Sequence, residues 1–280
     1  MSAYLYNKAK QQIIASRKGI LLQSKTKSRG EKSYVDDIAN NFFQFPCTDS
    51  KNEIQSGDGN EWKGDTPFKI QAVHSSSALE VNFFEYWRNK VDKTFLCKAL
   101  RISTKGVSSL SFEKKFKIPE GGTSNMDVVI NYNNSVCAIE CKFNEPYSKR
   151  EGSSGLKKVY LDNSSLWKNL PNLKKYAESI SPDDTINRHL GASQLITHTL
   201  GLVSHYNDDK SKFLLFYLWY DAFGEEGYVH RKEIERFADV LKSDGIEFRE
   251  MTWQEAIIGM GAKADPAHKA YIDYLCERYL

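Results

Sequence analysis

The stretch Met126-Asp127-Val128-Val129-Ile130-Asn131-Tyr132-Asn133-Asn134-Ser135-Val136-Cys137-Ala138-Ile139-Glu140-Cys141-Lys142-Phe143 decides the fold. Two apolar runs flank Asn133-Asn134, so the segment predicts a β-hairpin closed by a two-residue turn. Asn at both central positions suits the left-handed backbone that such a turn requires. In that register Asp127 lies directly opposite Glu140. Side chains alternate along a strand, so Glu140 and Lys142 point the same way and Asp127 shares their face. Two carboxylates and one ammonium are expected to converge on one spot.

Such a cluster has a definite chemistry. Paired carboxylates offer hard oxygen ligands to Mg²⁺, with Mn²⁺ as an alternative. A neighbouring Lys can orient or activate a water, and the metal can lower that water's pKa and take up charge on a phosphoryl oxygen. A solvated hairpin whose outer face happens to carry these charges is the competing reading. Against it, Val128, Val129, Ile130, Val136, Ala138 and Ile139 make both strands apolar on both faces, the pattern of central, buried strands. Charges there are costly unless paired or holding a metal.

These residues resemble the signature of the PD-(D/E)XK nuclease superfamily, the restriction-endonuclease-like fold. There the signature Asp begins the second core strand and Asp/Glu-x-Lys lies on the third, matching Asp127, Glu140 and Lys142. No Pro precedes Asp127, although Pro119 and Gly121-Gly122 lie a little upstream. The stretches Gly57-Asp58-Gly59-Asn60-Glu61, Ser75-Ser76-Ser77-Ala78-Leu79 and Asn82-Phe83-Phe84 also look like a branch of uncharacterised restriction endonucleases. The resemblance covers roughly residues 57 to 255 and implies an α/β fold, a central mixed β-sheet flanked by helices in the order αβββαβ. It implies a metal-dependent endonuclease acting on DNA, with Mg²⁺ held by Asp127 and Glu140. A non-catalytic nucleic-acid-binding protein on the same fold, or a nuclease acting on RNA or branched repair intermediates, stays open. Enzymes that cut both strands commonly act as dimers, so a homodimer is among the expected arrangements.

A helix is predicted from the Ser75–Ser77 cluster, whose hydroxyls can cap free amides, to about Asn89. Leu79, Phe83, Phe84, Tyr86 and Trp87 form its apolar arc, and Glu80 falls within that arc. The superfamily often takes a further acidic residue from this helix, which points to Glu80, with Glu61 and Glu85 as alternatives. Asn82 is a candidate hydrogen-bonding group near the site. Ser111 to Ile118 alternates apolar and charged residues and reads as the first core strand, with Phe112, Phe116 and Ile118 on one side. After Lys142, Glu145 is a candidate supporting carboxylate. Residues 185–205 predict a helix on which Gln194 and His198 share a face. The resemblance gives Gln194 a place beside the metal, whereas His198 reads first as a core or surface histidine. Phe213 to Tyr220 is an apolar strand expected to run parallel to the third, and 246–249 a short edge strand. Residues 231–243 and 265–280 look helical.

The division expected is a basic, weakly specified arm over 1–66, a nuclease-like domain over 67–255 and a helical extension over 256–280. A helix over 1–20 would use Ile13, Ile14, Leu21 and Leu22 as its contacts. Residues 1–34 carry eight Lys or Arg against one Glu, although the whole chain has a net charge of only +3. That asymmetry suits a polyanion such as DNA. An insertion over 144–184 interleaves Lys149, Arg150, Lys157, Lys158, Lys168, Lys174 and Lys175 with Tyr147, Tyr160, Trp167 and Tyr176. It could grip phosphates and stack bases, or form a helical subdomain around 166–180 with a solvated face. No apolar run exceeds Phe213–Tyr220, far short of a bilayer span, so a cytoplasmic chain without membrane contact is expected. Five cysteines without CxxC or His-Cys grouping argue against disulfides and zinc. No GxxxxGK[ST], HExxH or GxGxxG is present, so nucleoside-triphosphate, zinc-protease and nicotinamide chemistries have no support.

Overall fold

The computed structural model describes residues 2–25, 32–148, 155–262 and 265–280. The chain opens with helix α1 (Ala3–Arg17), the short strands β1 (Leu22–Gln23) and β2 (Tyr34–Val35), and α2 (Thr48–Ser56). Helices α3 (Ser76–Arg88) and α4 (Thr94–Ala99) follow, then β3 (Val107–Ile118), β4 (Gly122–Tyr132) and β5 (Val136–Lys142). The second half contains α5 (Lys158–Leu161), α6 (Pro171–Ser179), α7 (Ala192–His205), β6 (Phe213–Trp219), α8 (Gly224–Ser243), β7 (Phe248–Thr252), α9 (Trp253–Gly261) and α10 (Lys269–Tyr279). Among the described residues no helix is long and apolar enough to cross a membrane.

The five-stranded sheet has the order β3-β4-β5-β6-β7. β3, β4 and β5 form an antiparallel meander, whereas β6 and β7 run parallel to β5. This is the expected mixed sheet, with one more parallel strand than αβββαβ. Helices cover both faces, and one core layer holds Phe83, Trp87, Leu96, Trp253 and Tyr271, the other Leu173, Leu195, Leu200 and Phe237. β5 begins apolar on both sides, Val136 and Ala138 in one core layer and Cys137 and Ile139 in the other, because both its faces are roofed.

The hairpin register is as predicted, with Val128 opposite Ile139 and Ile130 opposite Cys137. Its turn is not. Neither Asn133 nor Asn134 has a positive φ; the Asn133 N–H instead donates to the Gly106 carbonyl at 3.0 Å, and Gly106 takes the left-handed φ of 77°. A neighbouring loop thus holds the turn in another form. The face assignment of β3 also needs correction, since Phe112 packs in one core layer and Phe116 and Ile118 in the other. Glu113, with φ 50°, breaks the alternation between them.

The helix predicted from Ser75 forms, with Ser75 Oγ accepting the Ala78 N–H at 3.2 Å. The helix predicted over 185–205 begins only at Ala192, because Asp184 ties the Ile186 and Asn187 amides into a turn and Glu233 accepts the amides of Arg188, His189 and Leu190. α9 starts at Trp253, three residues ahead of the expected helical extension, where Thr252 and Glu255 form a capping box. α1 does not pack through Ile13 and Leu21, which are exposed. Its buried face is Ala3, Asn7, Gln11 and Ala15, and Gln11 donates to the Arg278 carbonyl at 2.8 Å. Two of the basic residues of this region are likewise turned toward the C-terminal helix: Lys10 donates to the Leu280 carbonyl and Lys18 pairs with Glu277. Lys27 and Arg29 lie outside the described residues, as do Lys149 and Arg150.

The insertion is not a base-stacking surface through its aromatics. Tyr147, Tyr160, Trp167 and Tyr176 are all buried, the last three in the core layer that includes Leu170, Leu173 and Ile180. Each aromatic ring removes more apolar area from water inside that layer than any exposed platform would.

Candidate active site

The β4–β5 ladder stops at Val128 and Ile139. Beyond that point the strands separate, while β4 remains paired with β3 and β5 with β6. The last turn of β5 therefore has backbone groups without a ladder partner on one edge. Asp127 Oδ2 accepts the Cys141 N–H at 2.7 Å, and the Cys141 carbonyl accepts from Ser76 Oγ at 3.2 Å. A buried backbone donor must find an acceptor, and here a carboxylate supplies it. The result is a fork in the middle of the sheet, where side chains from both faces can meet.

A cavity of about 320 Å³ occupies the fork, lined in part by Asp58, Glu61, Glu80, Glu113, Asp127 and Glu145, six carboxylates, against one ammonium, Lys142. Gln194 lies at its rim on α7, exposed. The structure thus brings Asp127, Lys142, Glu80 and Gln194 to one cavity. Glu140 lies beneath it, fully buried, its Oε1 receiving a hydrogen bond from Lys142 Nζ and its Oε2 lying 2.8 Å from His198 Nε2. Glu145 closes the exit of β5 by accepting the Phe143 and Asn144 amides, each at 3.0 Å.

Two alternatives fall elsewhere. Glu85 receives the Cys47 amide and the Ser50 hydroxyl at the start of α2. Asn82 bonds the Phe43 amide, the Asn41 carbonyl and the Tyr279 hydroxyl, tying three distant segments together. Neither lines the cavity. Glu61 does line the cavity. Lining groups not anticipated include Glu113, Ser124 and Asn125. Glu113 reads as one solvated charge of an alternating strand, and only its left-handed φ turns it inward. Gly57 permits this, since a Cβ there would lie 2.5 Å from the Glu113 carboxyl carbon.

Crowding sets the charge state. Burial, together with Asp127, Glu113 and Glu140, pushes Glu80 well above the ordinary carboxylate range. Burial and then Glu140 do the same to Asp127. Burial pushes Glu113 up to about 7, against the Asn125 hydrogen bond and with help from Glu140 and Glu61. Glu140 is the exception: burial would raise it, but Lys142 and His198 outweigh burial and hold it ionised, at about 2. Lys142 is held protonated, burial opposing and Glu140, Asp127 and Glu145 prevailing. Carboxylates so close in a low dielectric resist ionising together unless a cation joins them.

The donors fit such a cation. Ligand atoms of Glu80, Asp127 and Cys141 lie within 4.8 Å of one another, the set of this kind found among the described residues. Burial and the neighbouring carboxylates push the Cys141 thiol well above its usual range, so it stays a thiol. The oxygens therefore carry the site, which favours a hard ion such as Mg²⁺ over a thiophilic one.

A mixed sheet roofed on both faces by helices, with an acidic fork at its centre, defines a restriction-endonuclease-like α/β core. The family model described as Restriction Endonuclease associating with ARP matches residues 7–280, and the chain belongs to that family. No curated protein and no solved structure matches it.

Proposed function

We propose that the chain is a Mg²⁺-dependent DNA endonuclease of the PD-(D/E)XK type. The observation that carries this reading is the fork itself: Asp127, Glu80 and the Glu140–Lys142 pair converge where β4 and β5 part. Asp127, Glu80 and Glu140 would hold the ion. When bound, Mg²⁺ supplies positive charge for a phosphoryl oxygen and lowers the pKa of a water.

The chain's own groups do the rest. Lys142, protonated and anchored on Glu140, has further N–H donors to orient an attacking water and to stabilise charge developing on the phosphate. Its state makes it a donor rather than a base. Glu145 fixes the Phe143–Asn144 backbone and so the end of the strand that carries Lys142. A cavity this acidic repels DNA phosphates until a cation enters, which couples substrate binding to metal. Family membership supports DNA as substrate, because the family is described as a restriction endonuclease. Calorimetric titration of Mg²⁺ and Mn²⁺ into wild type and Asp127→Asn, followed by cleavage assays of Lys142→Ala and Asp127→Ala on mixed DNA substrates, tests the proposal. Metal binding by wild type alone and loss of cleavage in both variants is expected. Undiminished metal-dependent cleavage in both would sink it.

A further inference from the structure

Glu140 ends a chain of three residues from three elements, on the sheet face that α7 covers. Its Oε2 lies 2.8 Å from His198 Nε2 on α7, and His198 Nδ1 lies 2.6 Å from Ser124 Oγ on β4. All three are buried. The contact depends on a close approach of α7 to the sheet: a Cβ at Gly201 would lie 2.8 Å from Ser124 Cβ and 3.2 Å from Phe116 Cβ. Gly201 is one turn beyond His198 on the same helix face, so the missing side chain lets the imidazole reach Glu140.

The chemistry of the partners fixes the direction of the bonds. An ionised carboxylate only accepts, so Nε2 must carry a proton. Whenever the ring is neutral Nδ1 is then bare, and the Ser124 hydroxyl donates to it. We infer that His198 is a positioning residue, oriented by Ser124, that fixes the Glu140 carboxylate for cation binding. With Lys142 holding Oε1 and His198 holding Oε2, each oxygen keeps a further lone pair for the fork. The chain Ser124–His198–Glu140 would thus set ligand orientation, as partners outside a metal's own ligands generally do.

This inference rests on the metal-binding reading above, and two measurements separate the fates of the two. Mg²⁺ affinity is measured by calorimetry for wild type, His198→Ala, His198→Gln and Ser124→Ala. Gln places an amide N–H near the Nε2 position. His198→Ala is expected to bind about tenfold more weakly or worse, with His198→Gln restored to near wild type and Ser124→Ala between them. Equal affinity in all four, or equal losses in the Ala and Gln variants, would overturn the positioning role while leaving the metal site intact. Independently of any metal, long-range ¹⁵N–¹H NMR on histidine-labelled protein reads the ring. A protonated Nε2 is expected in wild type and also in Ser124→Ala, because Glu140 still only accepts, while the Nδ1 resonance moves as it loses the hydroxyl; a bare Nε2 in wild type would overturn the inference. Should wild type bind no divalent ion, the functional reading fails and the NMR result alone decides whether the brace exists.

Discussion

Asp127 Oδ2 accepts the Cys141 amide at 2.7 Å, at the step where a backbone carbonyl of β4 would otherwise continue the ladder. The same carboxylate therefore has a structural and a chemical task, and substitutions can separate them. Asn keeps an acceptor for the Cys141 N–H but loses the charge; Ala loses both. Asp127→Asn should melt within a few degrees of wild type and yet bind no Mg²⁺. Asp127→Ala leaves a buried donor unsatisfied, at about 1–3 kcal/mol, and should melt lower still. Differential scanning calorimetry of the pair checks this, and equal melting temperatures would show that the hydrogen bond is unimportant.

Glu113 gives the metal-free protein a pH signature. Its folded pKa is pushed up to about 7, above the ordinary carboxylate value near 4.3. Between those values the native state holds a proton that the unfolded chain has lost, so this group's contribution is fully present at low pH and falls as pH rises through 7. Glu113→Gln removes that loss. In chelator, the variant should gain melting temperature over wild type at pH 8 and show little difference at pH 4.5. A gain that is the same at both pH values would argue against a raised Glu113.

The acidic cavity predicts that DNA binding is cation-gated. With Ca²⁺ in place of Mg²⁺, fluorescence anisotropy on a labelled duplex should show affinity at least tenfold tighter than in EDTA at matched ionic strength. Asp127→Asn should abolish the difference. Equal binding in Ca²⁺ and EDTA would mean that the substrate avoids the fork.

Trp167 tests the burial of the insertion. Its ring is inside the core layer and its Nε1 donates to the Tyr160 carbonyl at 2.8 Å. Trp167→Ala should cost about 3–5 kcal/mol of stability, read by chemical denaturation. Loss of nucleic-acid affinity with unchanged stability would instead restore the surface-stacking role.

Much of the fold was legible locally. The apolar runs 128–130 and 136–139 read as central strands, their register followed from alternation, and Ser75 announced α3. Side-chain period and capping chemistry are written in neighbouring residues, so they survive without tertiary context. Glu80 could be singled out because a carboxylate within an apolar arc is anomalous. The aromatics of the insertion misled, because a Tyr or Trp between lysines looks the same whether its ring packs inward or faces a base.

What the sequence determined by itself, then, was the order of elements, the central hairpin and the Asp127, Glu140, Lys142 trio on it. What only the tertiary structure decided was how far the hairpin stays paired, which acids share the cavity and which groups hold Glu140. Glu113 turns inward through one left-handed residue, and His198 reaches Glu140 because Gly201 lets α7 close on Ser124 and Phe116. The physical reason is range: strand pairing obeys a period of two residues, whereas the charge state and contacts of a buried carboxylate depend on groups brought within a few ångströms from anywhere in the chain.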